Sequence, residues 1–199
     1  MHRTFIACIL ALLHFTAAAR AADRPAATEV LSAPPPDHEQ TQVFDEVRFG
    51  VLTSIDDANE DDGAFIAATV LFDPWGHEDA IGWDKILRPR IHLGGTIATD
   101  NEPNQVYAGF SWTAHLNERF FLELGFGGTL HDRDLNAGNG GNGPLLGCRA
   151  LFREYVAAGL NLTKNWSLIA QMEHSSHAKL CAGPNEGLSR AGVMVGYTF

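Results

Sequence analysis

Residues 105–131 read QVYAGFSWTAHLNERFFLELGFGGTLH, and they form two alternating segments joined by the short polar link Asn117-Glu118. In each segment, apolar side chains occupy every second position, and polar residues or glycine lie between them. A period of two is typical of a β-strand whose two faces meet different surroundings. The stretch therefore predicts two neighbouring strands connected by a tight turn.

The same alternation recurs along the chain and predicts eight strands. We expect them near residues 47–55, 64–72, 87–99, 105–116, 119–131, 145–162, 166–177 and 188–199. Eight antiparallel strands of about ten residues make the smallest closed membrane barrel, and closure leaves no unpaired backbone in hydrocarbon. The sequence thus predicts an all-β fold, an eight-stranded antiparallel transmembrane β-barrel with a small polar lumen. The alternative is a soluble up-and-down barrel or sandwich whose apolar face is turned inward.

The first 43 residues differ in composition from the rest. Residues 1–21 combine an early arginine, an apolar run from Phe5 to Phe15 and small residues around Ala19, which is the order of a cleavable signal peptide. Residues 22–43 hold a proline-rich polar stretch that predicts a flexible periplasmic leader. We expect residues 44–199 to form one barrel domain in the bacterial outer membrane.

Charge and cysteine content restrict the partners and the chemistry. A net charge of -10 argues against nucleic acid as a partner, because phosphates would be repelled. Cys8 would leave with the signal peptide, so Cys148 and Cys181 remain and predict one disulfide. His77, His92, His115 and His131 show no metal-ligand spacing, and we expect neither a metal nor a cofactor.

The links between strands predict how the barrel is oriented. With both ends of the domain in the periplasm, the loops 56–62, 99–104, 131–144 and 177–187 face outward, and the short turns fall on the periplasmic side, as is usual for such barrels. The segment 73–85 does not fit this pattern, because it is long for a periplasmic turn.

Two polar residues interrupt the apolar face of the strand that begins at Trp166. The series Trp166, Leu168, Ala170, Met172 continues with the same parity into His174 and Ser176. Two residues apart on a strand, their side chains project side by side, so the imidazole can accept the hydroxyl proton as the serine attacks an ester. The alternative is a polar strand end that simply turns into a loop.

The end of the chain resembles one enzyme family. The segments EHSSHA (173–178), PNEGL (184–188) and GVMVGYTF (192–199) are similar to the end of the lipid A deacylase (PagL) family, also called acyloxyacyl hydrolases. Its members are eight-stranded outer-membrane barrels that remove the ester-linked acyl chain at the 3 position of lipid A. The resemblance implies that His174 and Ser176 are catalytic and that the substrate is lipid A, within lipopolysaccharide of the outer leaflet. The match is tight only from Cys148 onward.

This chain departs from the family pattern at two positions. His177 replaces the asparagine that follows the serine and helps to hold the oxyanion, and its ring retains a hydrogen-bond donor. Together with Asn185 of the Asn-x-Gly turn, it is our candidate for substrate binding. The acid that orients the histidine in the family corresponds here to Ser189, so that carboxylate is missing.

Strand register suggests a replacement for this acid. If residues 163–165 form a three-residue hairpin turn, the ladder that starts with Leu162 opposite Trp166 places Glu154 opposite His174. Facing side chains lie about 5 Å apart at Cβ, so a carboxylate there can orient the imidazole. Glu186 is the second candidate acid. The same ladder brings Cys148 next to Cys181.

We therefore predict an outer-membrane esterase that removes the 3-O-linked acyl chain of lipid A with Ser176 as nucleophile, His174 as base and Glu154 as acid. The alternative is a non-enzymatic small barrel with a structural or adhesive role that has lost the acid. The sequence leaves open whether two copies form a homodimer, and which acyl chain length is preferred.

Overall fold

The computed structural model describes residues 43–55, 63–100, 102–135 and 144–199, all of which belong to the unit Glu39–Phe199. The predicted signal peptide, and the predicted leader apart from residue 43, lie outside these ranges. So do residues 56–62 and 136–143, which hold most of two predicted outward loops. In the parts that the structure describes, no helix is long and apolar enough to cross a membrane.

Eight antiparallel strands close into one barrel in sequence order, with β1 paired to both β2 and β8. The strands and the single short helix are β1 (Phe44–Ser54), β2 (Ala64–Phe72), α1 (Trp83–Leu87), β3 (Arg90–Ala98), β4 (Gln105–His115), β5 (Phe120–His131), β6 (Ala150–Asn161), β7 (Trp166–Ser176) and β8 (Leu188–Thr198). The predicted eight-stranded antiparallel β-barrel is confirmed.

Three strands begin three or more residues away from the predicted position. β1 starts three residues early, because a bulge between Phe44 and Glu46 shifts the pairing register there. β3 starts later than expected, because the residues before it form α1 and Pro89 cannot donate a ladder hydrogen bond. β6 starts only at Ala150, because Gly147 has φ 63°, which no extended strand accommodates.

The two faces of the barrel wall have opposite character. Large apolar side chains point outward along every strand and are between 44% and 66% exposed: Val51, Ile66, Leu93, Ile97, Val106, Phe110, Leu124, Val156, Met172 and Val193. Charged and polar side chains are buried inside the barrel. This distribution rules out the soluble alternative, in which the apolar face would be turned inward.

Ion pairs fill the lumen towards the end where β1 begins. The Arg48 guanidinium lies 2.6 Å from the Glu123 carboxylate and 2.8 Å from that of Glu46. Arg90 pairs with Glu123 as well, and with Asp45 at 2.5 Å. Buried charges are tolerated only when they are paired and hydrogen-bonded, and each carboxylate here has at least one arginine partner.

The narrow lumen also requires glycine where large rings cross it. Gly125 on β5 lies opposite Tyr155 on β6, and a Cβ atom at position 125 would overlap the Tyr155 ring. The Tyr155 hydroxyl donates to Glu123 at 2.7 Å. Glycine on the inward face thus makes room for an aromatic ring that joins the polar network.

The two ends of the barrel differ in construction. The turn end comprises the start of β1, the connection 73–89, the links 116–119 and 162–165, and Phe199. Aromatic side chains contact one another there in a chain of ring pairs: Phe72, Phe44, Phe199, Tyr197 and Trp166. The opposite end, the rim, contains the connections after β1, β3, β5 and β7. Aromatic rings at strand ends suit a membrane interface.

Candidate active site

Three neighbouring strands present one row of outward side chains close to the rim. Glu154 on β6 lies opposite His174 on β7, and His174 lies opposite Ser189 on β8. The predicted pairing of Glu154 with His174 is thereby confirmed. Ser176 lies two residues further along β7, opposite Phe152.

The parity of β7 directs the imidazole and the hydroxyl away from the lumen. Glu173 and Ser175 point inward and are 2% and 0% exposed, whereas His174 and Ser176 are half-buried on the outer surface. They share this surface with Met172, which belongs to the apolar exterior. Both predicted catalytic side chains therefore lie on the apolar face of the wall, at its rim end.

The imidazole of His174 is held by β8. Its Nδ1 lies 2.9 Å from the Ser189 hydroxyl oxygen, in hydrogen-bond distance. Within the described residues the His174 ring forms no hydrogen bond with Glu154, which is exposed across the rung. From the sequence, Ser189 was identified only as the residue that stands where the family has an acid. Continuing the β7–β8 ladder from the end of the chain would have placed it beside His174.

Gly187 fixes the other side of this ring. It has φ 78°, and a Cβ atom at this position would lie 2.6 Å from His174 Cε1 and 3.2 Å from Nε2. Ser175 pairs with Leu188, the residue that follows Gly187. The glycine of the Asn-x-Gly turn thus leaves room for the imidazole.

His177 and Asn185 organise the rim loop 177–187. The His177 ring is 2% exposed; its Nδ1 accepts from the Cys181 N–H, so Nε2 carries the hydrogen and donates to the Pro184 carbonyl at 3.1 Å. Asn185 Oδ1 accepts from the His177 backbone N–H at 3.0 Å. Both ring nitrogens of His177 therefore bond to atoms of the loop. Asn185 is anchored through its side-chain oxygen, and its side-chain nitrogen is the end that can donate a hydrogen bond.

The rim loop is attached to the segment before β6 at two points. The Cys148–Cys181 disulfide, with Cα atoms 6.0 Å apart, confirms the predicted pairing. Glu186 and Leu145 exchange two hydrogen bonds, in which the Glu186 carboxylate accepts the Leu145 N–H at 2.6 Å and the Leu145 carbonyl accepts the Glu186 N–H at 3.2 Å. The second candidate acid is thus directed at a loop backbone rather than at His174.

Beneath the outward row, an inward ion cluster joins the same three strands. Glu173 on β7 pairs with Arg153 on β6 and with Arg190 on β8. Arg190 also donates to Thr96 across the lumen at 2.8 Å, and the Arg153 guanidinium lies 3.8 Å from the centre of the Tyr107 ring. This cluster holds the strands that carry His174 and Ser189 in a fixed register.

An apolar groove of about 530 Å³ adjoins the row on the outer surface. Its polar lining includes Glu154, His174 and Ser189, and its apolar side chains are Ile55, Trp112, Leu124, Phe126, Val156 and Met172. A groove with this lining can hold a hydrocarbon chain next to the imidazole. Within the described ranges, no three histidine, cysteine or acidic side chains come together as a metal site requires.

Comparison with known proteins identifies the family. A family model described as Lipid A 3-O-deacylase (PagL) matches residues 82–198, which is more than half of the chain and includes strands β3 to β8. The chain belongs to the lipid A 3-O-deacylase family. This membership places it among the lipid A deacylases, in agreement with the resemblance of residues 173–199.

A solved structure shares this fold. A crystal structure described as the outer membrane enzyme PagL superimposes with a TM-score of 0.56 at 18% identity, covering 77% of this chain and 99% of that chain. A de novo designed transmembrane β-barrel matches with a TM-score of 0.46 at 10% identity, covering 78% of this chain and 95% of the other. No curated protein sequence matches the chain. The chain therefore belongs to the deacylase family and has the barrel fold of the solved PagL structure.

Proposed function

We propose that this protein lies in the bacterial outer membrane and removes the 3-O-linked acyl chain of lipid A, with Ser176 as nucleophile and His174 as general base. The observation that carries the proposal is the outward orientation of His174 beside an apolar groove. An ester inside a lipid is reached from the lipid-facing surface, and an acyl chain of the bilayer can enter this groove without leaving apolar surroundings.

The reaction follows from the tautomer that we assign to His174. Nδ1–H donates to the Ser189 hydroxyl, which leaves Nε2 unprotonated and able to accept the Ser176 proton. Ser176 Oγ attacks the ester carbonyl, and the imidazolium returns the proton to the departing 3-oxygen of the sugar as the acyl-serine forms. Water, deprotonated by the same imidazole, then releases the fatty acid and regenerates Ser176.

In this proposal, two residues together replace the acid that the family uses to orient and charge-stabilise the histidine. Ser189 orients the ring through a neutral hydrogen bond. Glu154, one strand away on the other side, supplies the negative charge that favours the imidazolium. Glu186 has no such role, because its carboxylate holds the Leu145 backbone.

The oxyanion of the tetrahedral intermediate needs donors that are already oriented. We assign one donor to the Asn185 amide, because its oxygen is anchored on the His177 N–H and its nitrogen is the donor end. His177 contributes to substrate binding indirectly, since its ring holds the loop that carries Asn185.

Purified protein in lipopolysaccharide-containing vesicles tests the proposal. Mass spectrometry should detect a released fatty acid and lipid A lighter by one acyl chain, with fragmentation locating the loss at the 3 position. Ser176→Ala should abolish the release, whereas Ser175→Ala is the matched control, because its neighbouring hydroxyl lies inside the lumen at 0% exposure.

Two results would contradict the assignment. Release that survives Ser176→Ala would exclude this serine as the nucleophile. A folded wild-type barrel that releases no fatty acid would favour the non-enzymatic alternative, to which the serine at the position of the family acid lends support.

A further inference from the structure

The connection 73–89 between β2 and β3 is much longer than the two other links at the turn end, 116–119 and 162–165. Short turns are usual at this end of an outer-membrane barrel. Nothing in the deacylation chemistry uses this connection, since His174 and Ser176 lie near the rim.

Hydrogen bonds fix the connection to the barrel. The Asp73 carboxylate accepts the backbone N–H groups of His77 at 2.6 Å and of Glu78 at 3.2 Å. The fully buried His77 ring accepts the Thr113 N–H at Nε2, 2.9 Å away, and donates from Nδ1 to the Arg88 carbonyl at 2.8 Å. The segment is therefore an ordered element that Asp73 and His77 fasten to the barrel.

Its apolar side chains face away from the protein. Ile81 is 85% exposed, Trp83 78% and Leu87 75%, so these residues are more exposed than the apolar side chains of the barrel wall. Trp75 and Ile86 extend the same surface. An ordered segment with such a concentration of exposed apolar residues indicates a surface that meets another apolar phase.

This surface is continuous with the apolar exterior of the barrel. The Trp112 indole on the outside of β4 donates to the Ile86 carbonyl at 2.9 Å, and the Trp75 ring lies 6.4 Å from that of Phe110. The aromatic ring pairs between Phe72 and Trp166 occupy the same end of the barrel. Tryptophan and tyrosine concentrate where a membrane meets water.

We propose that the connection 73–89 is a membrane-interface anchor that inserts Ile81, Trp83, Ile86 and Leu87 among the phospholipids of the leaflet at the turn end. It rests on the membrane location proposed above. The anchor completes the aromatic belt on the side of β2 to β4, and its buried His77 and Asp73 hold it at a fixed height against the wall.

Spin labels measure the depth of this segment directly. Cys148 and Cys181 form a disulfide, and Cys8→Ser removes the third thiol, so a nitroxide reagent labels only a new cysteine. We would label Ile81→Cys and Leu87→Cys in the anchor, Asp79→Cys as an exposed polar control in the same segment, and Leu93→Cys on the outer face of β3. The full chain is folded into phosphatidylethanolamine and phosphatidylglycerol vesicles, and the collision rates with oxygen and with a neutral nickel chelate are measured.

Labels at positions 81 and 87 should collide with oxygen several-fold more often, relative to nickel, than the label at position 79. If position 93 reports lipid while positions 81 and 87 are as accessible to nickel as position 79, the anchor is refuted and the membrane location stands. Shielding of 81 and 87 from both reagents would refute it in favour of a protein contact. If position 93 itself reports water, the barrel does not span the bilayer, and both proposals fail.

Discussion

The His174 imidazole and the Ser189 hydroxyl, 2.9 Å apart, join two neighbouring strands at the position where the family carries its acid. A hydroxyl can orient a histidine, but it brings no negative charge to stabilise the imidazolium. The site therefore has an orienting group on β8, with the nearest carboxylate of the row on β6.

Removing the Ser189 hydroxyl tests its orienting role. Ser189→Ala should lower kcat by about two- to tenfold, the value of one neutral hydrogen bond. Ser189→Glu should exceed the alanine variant, because a charged acceptor binds the imidazole N–H more strongly. Fatty acid release is measured in both. Wild-type kcat in Ser189→Ala would show that the hydroxyl has no orienting role.

Neutralising Glu154 tests its proposed electrostatic role. Glu154→Gln should lower kcat by about two- to fivefold, the scale of an exposed charge pair, and the loss should shrink at high salt. The comparison is Glu186→Ala, whose effect comes through the rim loop and should not depend on salt. A Glu154→Gln enzyme with full activity at low salt would remove this residue from the mechanism.

Asn185→Asp distinguishes the role of the Asn185 amide oxygen from that of its nitrogen. The carboxylate can still accept the His177 N–H, but it cannot donate to an oxyanion, so kcat should fall by about 10²- to 10³-fold. Asn185→Ala should fall as far, because it lacks the donor as well. If alanine retained activity while aspartate lost it, the added charge rather than a lost donor would be the cause.

Gly187→Ala should displace the His174 ring. The new methyl group would lie 2.6 Å from Cε1, and kcat should fall more than the tenfold that about 1.4 kcal/mol represents. Gly183→Ala is the matched control, because Gly183 also has positive φ (116°) but its Cβ would meet only Gly147 at 3.6 Å or more. Equal losses in both variants would assign the effect to loop strain.

Glu173→Gln should destabilise the barrel. The amide leaves Arg153 and Arg190 buried without their carboxylate, which costs about 3–5 kcal/mol in the free energy of unfolding. Urea titration in lipid vesicles measures the change. Asp84→Asn removes the exposed pair with Arg88 and should change stability by less than about 1 kcal/mol. A similarly small effect at Glu173 would mean that the two arginines are stabilised by other partners.

Alternation and one hairpin turn were enough to predict the barrel, the outward parity of His174 and its register with Glu154. These features depend on local geometry, because a period of two fixes the face and a tight turn fixes every later rung. The disulfide was predicted from the two cysteines that remain after signal-peptide cleavage; the observed β6–β7 ladder ends at Phe152 and Ser176 and does not reach them.

Other features depend on contacts that the two-residue alternation of the strands does not predict. The ring nitrogens of His177 bond to backbone atoms of a loop with irregular dihedrals, so the sequence could not show that this ring lies within the loop. The connection 73–89 is organised by Asp73 and His77, whose partners lie on the neighbouring backbone and on β4. The sequence showed Ser189 only as the position where the family acid is missing. Its hydrogen bond to His174 is known only from the distance between the two side chains.

The arginine and carboxylate clusters at two levels of the lumen have a consequence for permeability. A solute passing along the axis would have to separate Arg48 from Glu123 and then Arg153 from Glu173, each pair buried and in direct contact. In the membrane location proposed above, the barrel therefore offers ions and small hydrophilic solutes no open path through its wall.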